Sequence, residues 1–333
     1  MRKFLVLLLV LSLACPLLAA QAEQPKTPSV CIVVAGGLGD RSFYDSANEG
    51  ITRLAEEFGT VTGVIECKED GSLYESSLFD AAEQYDYVAA VGWQFIDALK
   101  KDDSVLSLFP DTRFLFIDNA LEDFPENLMC ITYAQNEGSF LAGYIAASLS
   151  QSGAVGVVGG DDNDTINDFI VGYEAGAKYC SPEIRVERQY ANTYEDPAKG
   201  KECALALYNG GCDIVFAVAG KTGEGVFEAA REVDKLAIGV DGDQKYIDPD
   251  RIVCSMIKRV GQSIYDVVSN PDEYFRGGTV WNANMETGYI DLGYGSEDDP
   301  QQVSNQLKET IEALKQQIIS EEIVVPSVFA VAE

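Results

Sequence analysis

Histidine is missing from all 333 residues of this chain. The commonest general base and the commonest transition-metal ligand are missing with it, which argues against hydrolases and metalloenzymes. Positive charge is scarce: 24 Lys and Arg stand against 54 Asp and Glu, for a formal net charge of −30. Nothing in such a chain offsets phosphate repulsion, so nucleic acid is excluded as a partner, and the acidic surface itself speaks for solvation rather than for any ligand. The cysteines show no C-x-x-C spacing, which removes the usual zinc and thioredoxin-like sites. Repeats, low-complexity tracts and long linkers do not occur, and beyond residue 22 no apolar run is long enough to span a membrane.

The one long apolar run opens the chain. Met1-Arg2-Lys3 leads into an apolar stretch from Phe4 to Ala14, and Ala20-Gln21-Ala22 precedes Glu23, the layout of a secretory signal with an A-x-A cleavage site. Residues 1–22 are read as that signal, which puts the mature chain in the periplasm or on the exterior of the cell envelope. Soluble export and a lipid anchor through Cys15 both stay open. Against the anchor, Ser12 stands where a lipobox normally has an aliphatic residue, and Pro16 would follow the modified cysteine. Seven cysteines lie beyond the signal. Cys31 and Cys254 fall in expected strands and read as small buried hydrophobes. Cys180, Cys203 and Cys212 cluster around one strand and helix, and export is compatible with a single bridge among them. The odd count leaves at least one thiol free.

Hydrophobic periodicity then alternates between two periods. Strands are predicted at 29–35, 61–66, 87–92 and 113–118, with helices from near Ser42 and over 74–84. A second series begins with a helix from Gly138, followed by strands at 154–159, 184–190, 213–219, 236–240 and 252–257 and a helix over 166–179. Asp196-Pro197 is a helix start, with the proline at a position whose missing N–H is not needed. Further strands are expected within 274–292, and Val303, Leu307, Ile311, Leu314 and Ile318 stripe one face of a last helix. The fold class is therefore α/β: two doubly wound parallel-sheet lobes joined by a hinge. The first lobe is placed at 29–134 plus about 260–290, and the second at 135–259 plus about 291–326. Ligands in such sheets gather at the carboxyl ends of the strands, so the two lobes should share one cleft.

The most informative corner is Gly36 to Gly50. A buried apolar strand runs into a glycine turn, then Asp40, Phe43 and Tyr44, then a helix with Ala47, Ile51, Leu54 and Phe58 on one face. The turn is neither G-x-G-x-x-G nor followed by a Walker lysine, so it carries little for dinucleotides or phosphates. Lys258 closes an apolar strand beside the cleft and needs a carboxylate or a ligand. Trp93 follows a strand end and either lines the cleft or packs the hinge. Asp161 and Asp162 are consecutive, point apart, and read as a solvated loop rather than a metal site.

Gly39-Asp40-Arg41-Ser42-Phe43, Val91-Gly92-Trp93-Gln94-Phe95, Phe116-Ile117-Asp118, Glu137 to Tyr144, Asp196 to Gly200, Ala219 to Val226 and Ile238 to Gln244 together resemble the basic membrane protein family of substrate-binding proteins for ABC transporters. That group includes the purine nucleoside receptor A lipoproteins, and the resemblance covers about 29–326. It implies a type I periplasmic-binding-protein fold that binds without catalysis, needs no cofactor or metal, and delivers a small-molecule ligand to a membrane ABC permease. Carried over by position, Phe43 and Phe169 would stack on opposite faces of a flat ring. Asp40 and Asp118 would bind from the first lobe, while Gly220, Asp241 and Lys258 would hold sugar hydroxyls. Tyr44 stands where the nucleoside receptors usually have an Asn that reads the base, and Val34 where they tend to have an Asp. A phenol cannot copy a carboxamide's paired donor and acceptor. The expected ligand is thus nucleoside-like, a flat heteroaromatic with a sugar or polyol arm, with a flavin still open. A sensor presenting the closed form to a chemoreceptor or kinase, and a nucleoside-processing enzyme, are the competing readings.

Overall fold

A computed structural model of the chain describes residues 28–329, apart from Phe124. The expected signal and Cys15 lie outside the described residues. Twelve strands form two six-stranded sheets. In chain order they are β1 Val30–Val34, β2 Thr62–Glu66, β3 Tyr87–Val91, β4 Arg113–Ile117, β5 Leu128–Tyr133, β6 Ala154–Gly159, β7 Arg185–Tyr190, β8 Ile214–Val218, β9 Leu236–Asp241, β10 Ile252–Lys258, β11 Thr279–Ala283 and β12 Ile290–Gly293. The first sheet has the order β11-β5-β4-β3-β1-β2 and the second β12-β10-β9-β8-β6-β7. All pairings are parallel except that of β12 with β10 at one edge.

Burial explains the strand sequences. β1, β3, β6, β8 and β10 are buried at every residue, as helices on both faces require, whereas the edge strands β2 and β7 are half-exposed and carry charge. Asp196 starts the helix Pro197–Asn209 as expected, its carboxylate accepting from the N–H groups of Ala198 and Lys199 at 3.0 and 3.3 Å. β5 escaped the periodicity because it follows β4 with no intervening helix, which breaks the strand–helix alternation. Within 274–292 only β11 and part of β12 are strand; Tyr274 ends a one-turn helix. All seven described cysteines are free, so the bridge weighed for Cys180, Cys203 and Cys212 does not form. Cys31 and Cys254 are indeed buried in β1 and β10. Among the described residues, no helix is long and apolar enough to cross a membrane.

The chain passes between the sheets three times: after β5, after β10, and between β11 and β12. After β10 it enters the helix Val260–Ser269, which packs on the first-sheet helix Phe43–Phe58 through a glycine pair. A Cβ on Gly261 would stand 2.0 Å from the Ser46 carbonyl oxygen, and one on Gly50 2.1 Å from the Gly261 oxygen. The two helices therefore touch backbone to backbone. Gly261→Ala should lower unfolding stability by about 1–3 kcal/mol through forced separation of these helices, read by denaturant titration; an unchanged midpoint would contradict the contact.

Candidate functional site

Four strand ends build one cleft. In the first sheet, β3 turns out through Gly92 (φ 122°) and β4 through Asp118 (φ 75°); in the second, β8 is followed by Gly220 (φ 54°) and β9 ends in Asp241 (φ 65°). Aspartate tolerates the left-handed region better than most residues, though at some cost, and such backbone concentrates at functional sites. All four residues line one cavity, whose volume of about 60 Å³ has room for a few waters while Lys258 fills it.

Two aromatic walls close the cavity from opposite sheets. Phe43 is the first residue of the helix Phe43–Phe58 and is half-buried. Phe169 lies in the second turn of the helix Asp164–Cys180, which Asn163 caps by accepting from the Ile166 N–H at 3.1 Å. Between these rings stands Lys258, the last residue of β10. Its Nζ is 5.2 Å from the Phe43 ring centroid, 5.1 Å from that of Phe169 and 4.9 Å from that of Tyr133. The same ammonium forms an ion pair with Asp118, and the two side chains are 1% and 9% exposed. The lysine thus has the carboxylate its position demanded.

The remaining carboxylates have distinct duties. Asp241 accepts a hydrogen bond from the Ser42 hydroxyl across the lobes. Burial pushes its carboxyl up to about 6, against the pull of Lys258 and Ser42, while Asp118 adds to the rise. Burial raises Asp118 as well, with Lys258 opposing. Asp40 lines the cavity, yet both its oxygens are taken by backbone: Oδ1 accepts from Ser42 and Asp45 at 3.1 and 3.0 Å, and Oδ2 from Tyr44 at 2.9 Å. It therefore fixes the helix start that presents Phe43, and burial pushes it up to about 7 in spite of the three amides. Tyr44 is buried and packs edge-on against Phe43 with centroids 5.3 Å apart.

Every residue singled out from the sequence for this cleft lines the one cavity, Trp93 included. Gln94, Thr165 and Tyr194 line it too and were not anticipated. Gln94 stood inside a motif already quoted, between Trp93 and Phe95. Tyr194 stands in the irregular stretch after β7, where no periodic pattern points inward. Asp161 and Asp162 are not among the residues that line the cavity; Asp161 accepts from the Asp162 N–H and Asp162 from the Asn167 side-chain amide.

The lobes are closed on the cavity. Besides the pairs above, Glu195 Oε1 accepts from the Gly37 N–H at 3.1 Å, the Arg41 carbonyl from Gln244 Nε2 at 3.0 Å, and Glu69 Oε1 from the Tyr194 N–H at 3.0 Å.

A family model described as "ABC transporter substrate-binding protein PnrA-like" matches residues 27–328. Basic membrane protein A of Borreliella burgdorferi is 34% identical over 90% of this chain and 88% of its own. The ABC transporter nucleoside-binding protein BmpA of Lactococcus lactis is 33% identical over 88% of this chain and 87% of its own. A solved solute-binding protein of an ABC transporter system from Aeropyrum pernix superposes with a TM-score of 0.79 at 28% identity, covering 90% of this chain and 94% of that one. The fold is accordingly that of the type I periplasmic-binding proteins.

Because burial lifts Asp241 from 3.8 to about 6 in the folded protein, its contribution to ligand-free stability is complete below about pH 4 and is lost as pH rises through about 6. Asp241→Asn keeps a residue that accepts the left-handed backbone and removes the charge. The variant's stability relative to the parent should therefore climb between pH 4 and 7, by on the order of 2 kcal/mol, in parallel denaturant titrations. A difference independent of pH would mean that Asp241 titrates normally.

Proposed function

Because the chain belongs to the PnrA-like family of ABC transporter substrate-binding proteins, we propose that it captures a nucleoside between its lobes outside the cytoplasm and delivers it to a membrane ABC permease. One observation carries the reading: Phe43 and Phe169, from opposite lobes, flank a single gap that the Lys258 ammonium now enters. A flat base would take the ammonium's place there, with a ring on each face and Lys258 drawn back to the sugar. Asp118, Asp241 and Gly220 stand at the strand ends where the sugar hydroxyls would lie. A carboxylate accepting from a hydroxyl makes a charge-assisted bond, and each base–aromatic stack contributes about 1–3 kcal/mol. Two stacks and several such bonds, less the cost of immobilising the ligand, suit a free energy near about −8 kcal/mol, or micromolar binding. The name of the Lactococcus lactis relative agrees with this ligand class.

The charges also say which nucleoside derivatives fit poorly. Asp40, Asp118 and Asp241 line the cavity with Lys258 as its one cationic residue. A 5′-phosphate would bring a dianion among them and should be rejected.

Titration calorimetry on purified protein freed of retained ligand tests the reading. Nucleosides should bind at micromolar Kd or tighter, and their 5′-monophosphates at least about tenfold more weakly. Phe43→Ala and Phe169→Ala should each lose about 1–3 kcal/mol. Asp241→Ala should lose about a hundredfold, from about 2–3 kcal/mol for a charged hydrogen bond. Unchanged affinity in both phenylalanine variants would remove the clamp and the reading with it.

A further inference from the structure

The polar atoms that line the cavity are nearly all accounted for within the protein. Asp40 holds three backbone amides, Asp118 holds Lys258, and Asp241 holds Ser42. The Tyr194 hydroxyl takes a hydrogen bond from Asn163 Nδ2 at 3.1 Å, and the Thr165 hydroxyl faces the Asp118 carbonyl oxygen at 3.5 Å. Two adjacent residues after β3 differ. The Trp93 indole N–H is enclosed and stands beside the Tyr194 hydroxyl without hydrogen-bond geometry. Gln94 Oε1 is enclosed and has no donor at all.

The backbone puts the Gln94 carboxamide there. Gly92, at φ 122°, makes a turn that a side chain would strain, and a Cβ on it would come 2.5 Å from Gln94 Oε1. The side chain thus folds back over the turn that opens the cavity wall. A buried acceptor without a donor is unfavourable, and native proteins leave few of them. The oxygen lies over Gly92, and Gly92 and Gln94 both line the cavity, so the cavity wall is the side from which a donor can reach it.

Building on the nucleoside reading, we infer that Gln94 selects the base: its carboxamide accepts from an N–H on the base edge, and so favours bases that carry such a donor over those that do not. The neighbouring amide N–H of the same side chain then finds an acceptor on that edge, because a carboxamide offers both functions side by side. Adenine presents an exocyclic amino group next to a ring nitrogen, and hypoxanthine a ring N–H next to a carbonyl. Unsubstituted purine presents acceptors only. A base without the donor would leave Gln94 Oε1 unpaired, and rejection of ligands that strand a buried polar group is where discrimination is strongest. Tyr44 does not compete for the role, since its ring is packed against Phe43 and beneath Gly36.

The test compares adenosine, inosine and purine riboside by titration calorimetry on the parent protein and on Gln94→Leu. In the parent, purine riboside should bind about tenfold more weakly than the better of the other two, the discrimination expected of a carboxamide paired to a base edge. In Gln94→Leu the better nucleoside should lose about that factor while purine riboside stays within about twofold, so that the preference disappears. Gln94→Glu, which keeps an acceptor, should retain the preference and guards against a leucine variant that fails to fold. A preference that survives in Gln94→Leu, or that is absent from the parent although all three nucleosides bind, overturns the role of Gln94 and leaves the nucleoside reading standing. If the parent binds none of the three, the nucleoside reading falls, and this inference with it.

Discussion

The ion pair between Lys258 and Asp118 is the contact on which the closed molecule turns. It joins the end of β10 in the second sheet to the end of β4 in the first, and both partners are almost wholly withdrawn from water. Withdrawing two charges is costly, and mutual attraction in a medium of low polarity repays it only when further groups help. Here the help comes from three ring faces, those of Phe43, Tyr133 and Phe169, each about as close to the ammonium as a cation–π contact requires. The rings that would clamp a flat ligand are thus the rings that keep the lysine stable without one. An ammonium has three N–H donors, and among the described residues Asp118 is its one hydrogen-bond acceptor. It is held in place while keeping donors to offer.

The two sheets use equivalent positions for this purpose. Reading β5-β4-β3-β1-β2 against β10-β9-β8-β6-β7 pairs Gly92 with Gly220 and Asp118 with Asp241, each with the left-handed backbone described above. The same alignment pairs Tyr133, the last residue of β5, with Lys258, the last of β10. There the symmetry breaks. One lobe supplies a ring and the other a cation at the same strand end, and the cation crosses to the far lobe's aspartate. Asp241, left without a lysine from the first lobe, takes the Ser42 hydroxyl instead. A cleft built from duplicate strand ends therefore carries different chemistry on its two walls.

Much of this was legible in the order of residues. The buried strands β1, β3, β6 and β8 announce themselves as short apolar runs bounded by glycine and acidic residues, and Asp196-Pro197 states a helix start outright. Motif likeness pointed to Phe43, Phe169, Asp118, Asp241 and Lys258, which meet in space although they are far apart in the chain. What stayed hidden depended on enclosure or on partners. Asp40 is marked by sequence as a carboxylate near a cleft, but only the geometry reveals that three amides at the start of the following helix occupy it. Cys180, Cys203 and Cys212 are near in sequence without pairing. β5 hid because no helix separates it from β4. Gln94 is an ordinary polar residue in a short turn until the fold encloses its oxygen and withholds a donor.

Closure itself sets a limit on what the protein's own contacts can do. The lobes meet through a handful of hydrogen bonds, such as Gly37 with Glu195 and Arg41 with Gln244, each contributing about 0.5–1.5 kcal/mol net. Half-exposed pairs such as Arg41 with Glu224, at 3.6 Å, add little. These bonds add only a few kcal/mol to the Lys258–Asp118 pair, and a ligand shifts the balance of open and closed forms only by the difference in its affinity for the two. In the reading proposed above, a nucleoside on the open first lobe would meet Phe43 and Asp118 alone. Closing adds the Phe169 face, Asp241 and a Lys258 that draws back from the ring gap to the sugar, so most of the attraction is available only to the closed form. Carrying a population from one in a hundred closed to one in a hundred open takes about 5.5 kcal/mol of such difference. One further stack and two charge-assisted bonds are of that order. A receptor arranged in this way reports occupancy by its shape, because the groups that hold the ligand best are those that closure delivers.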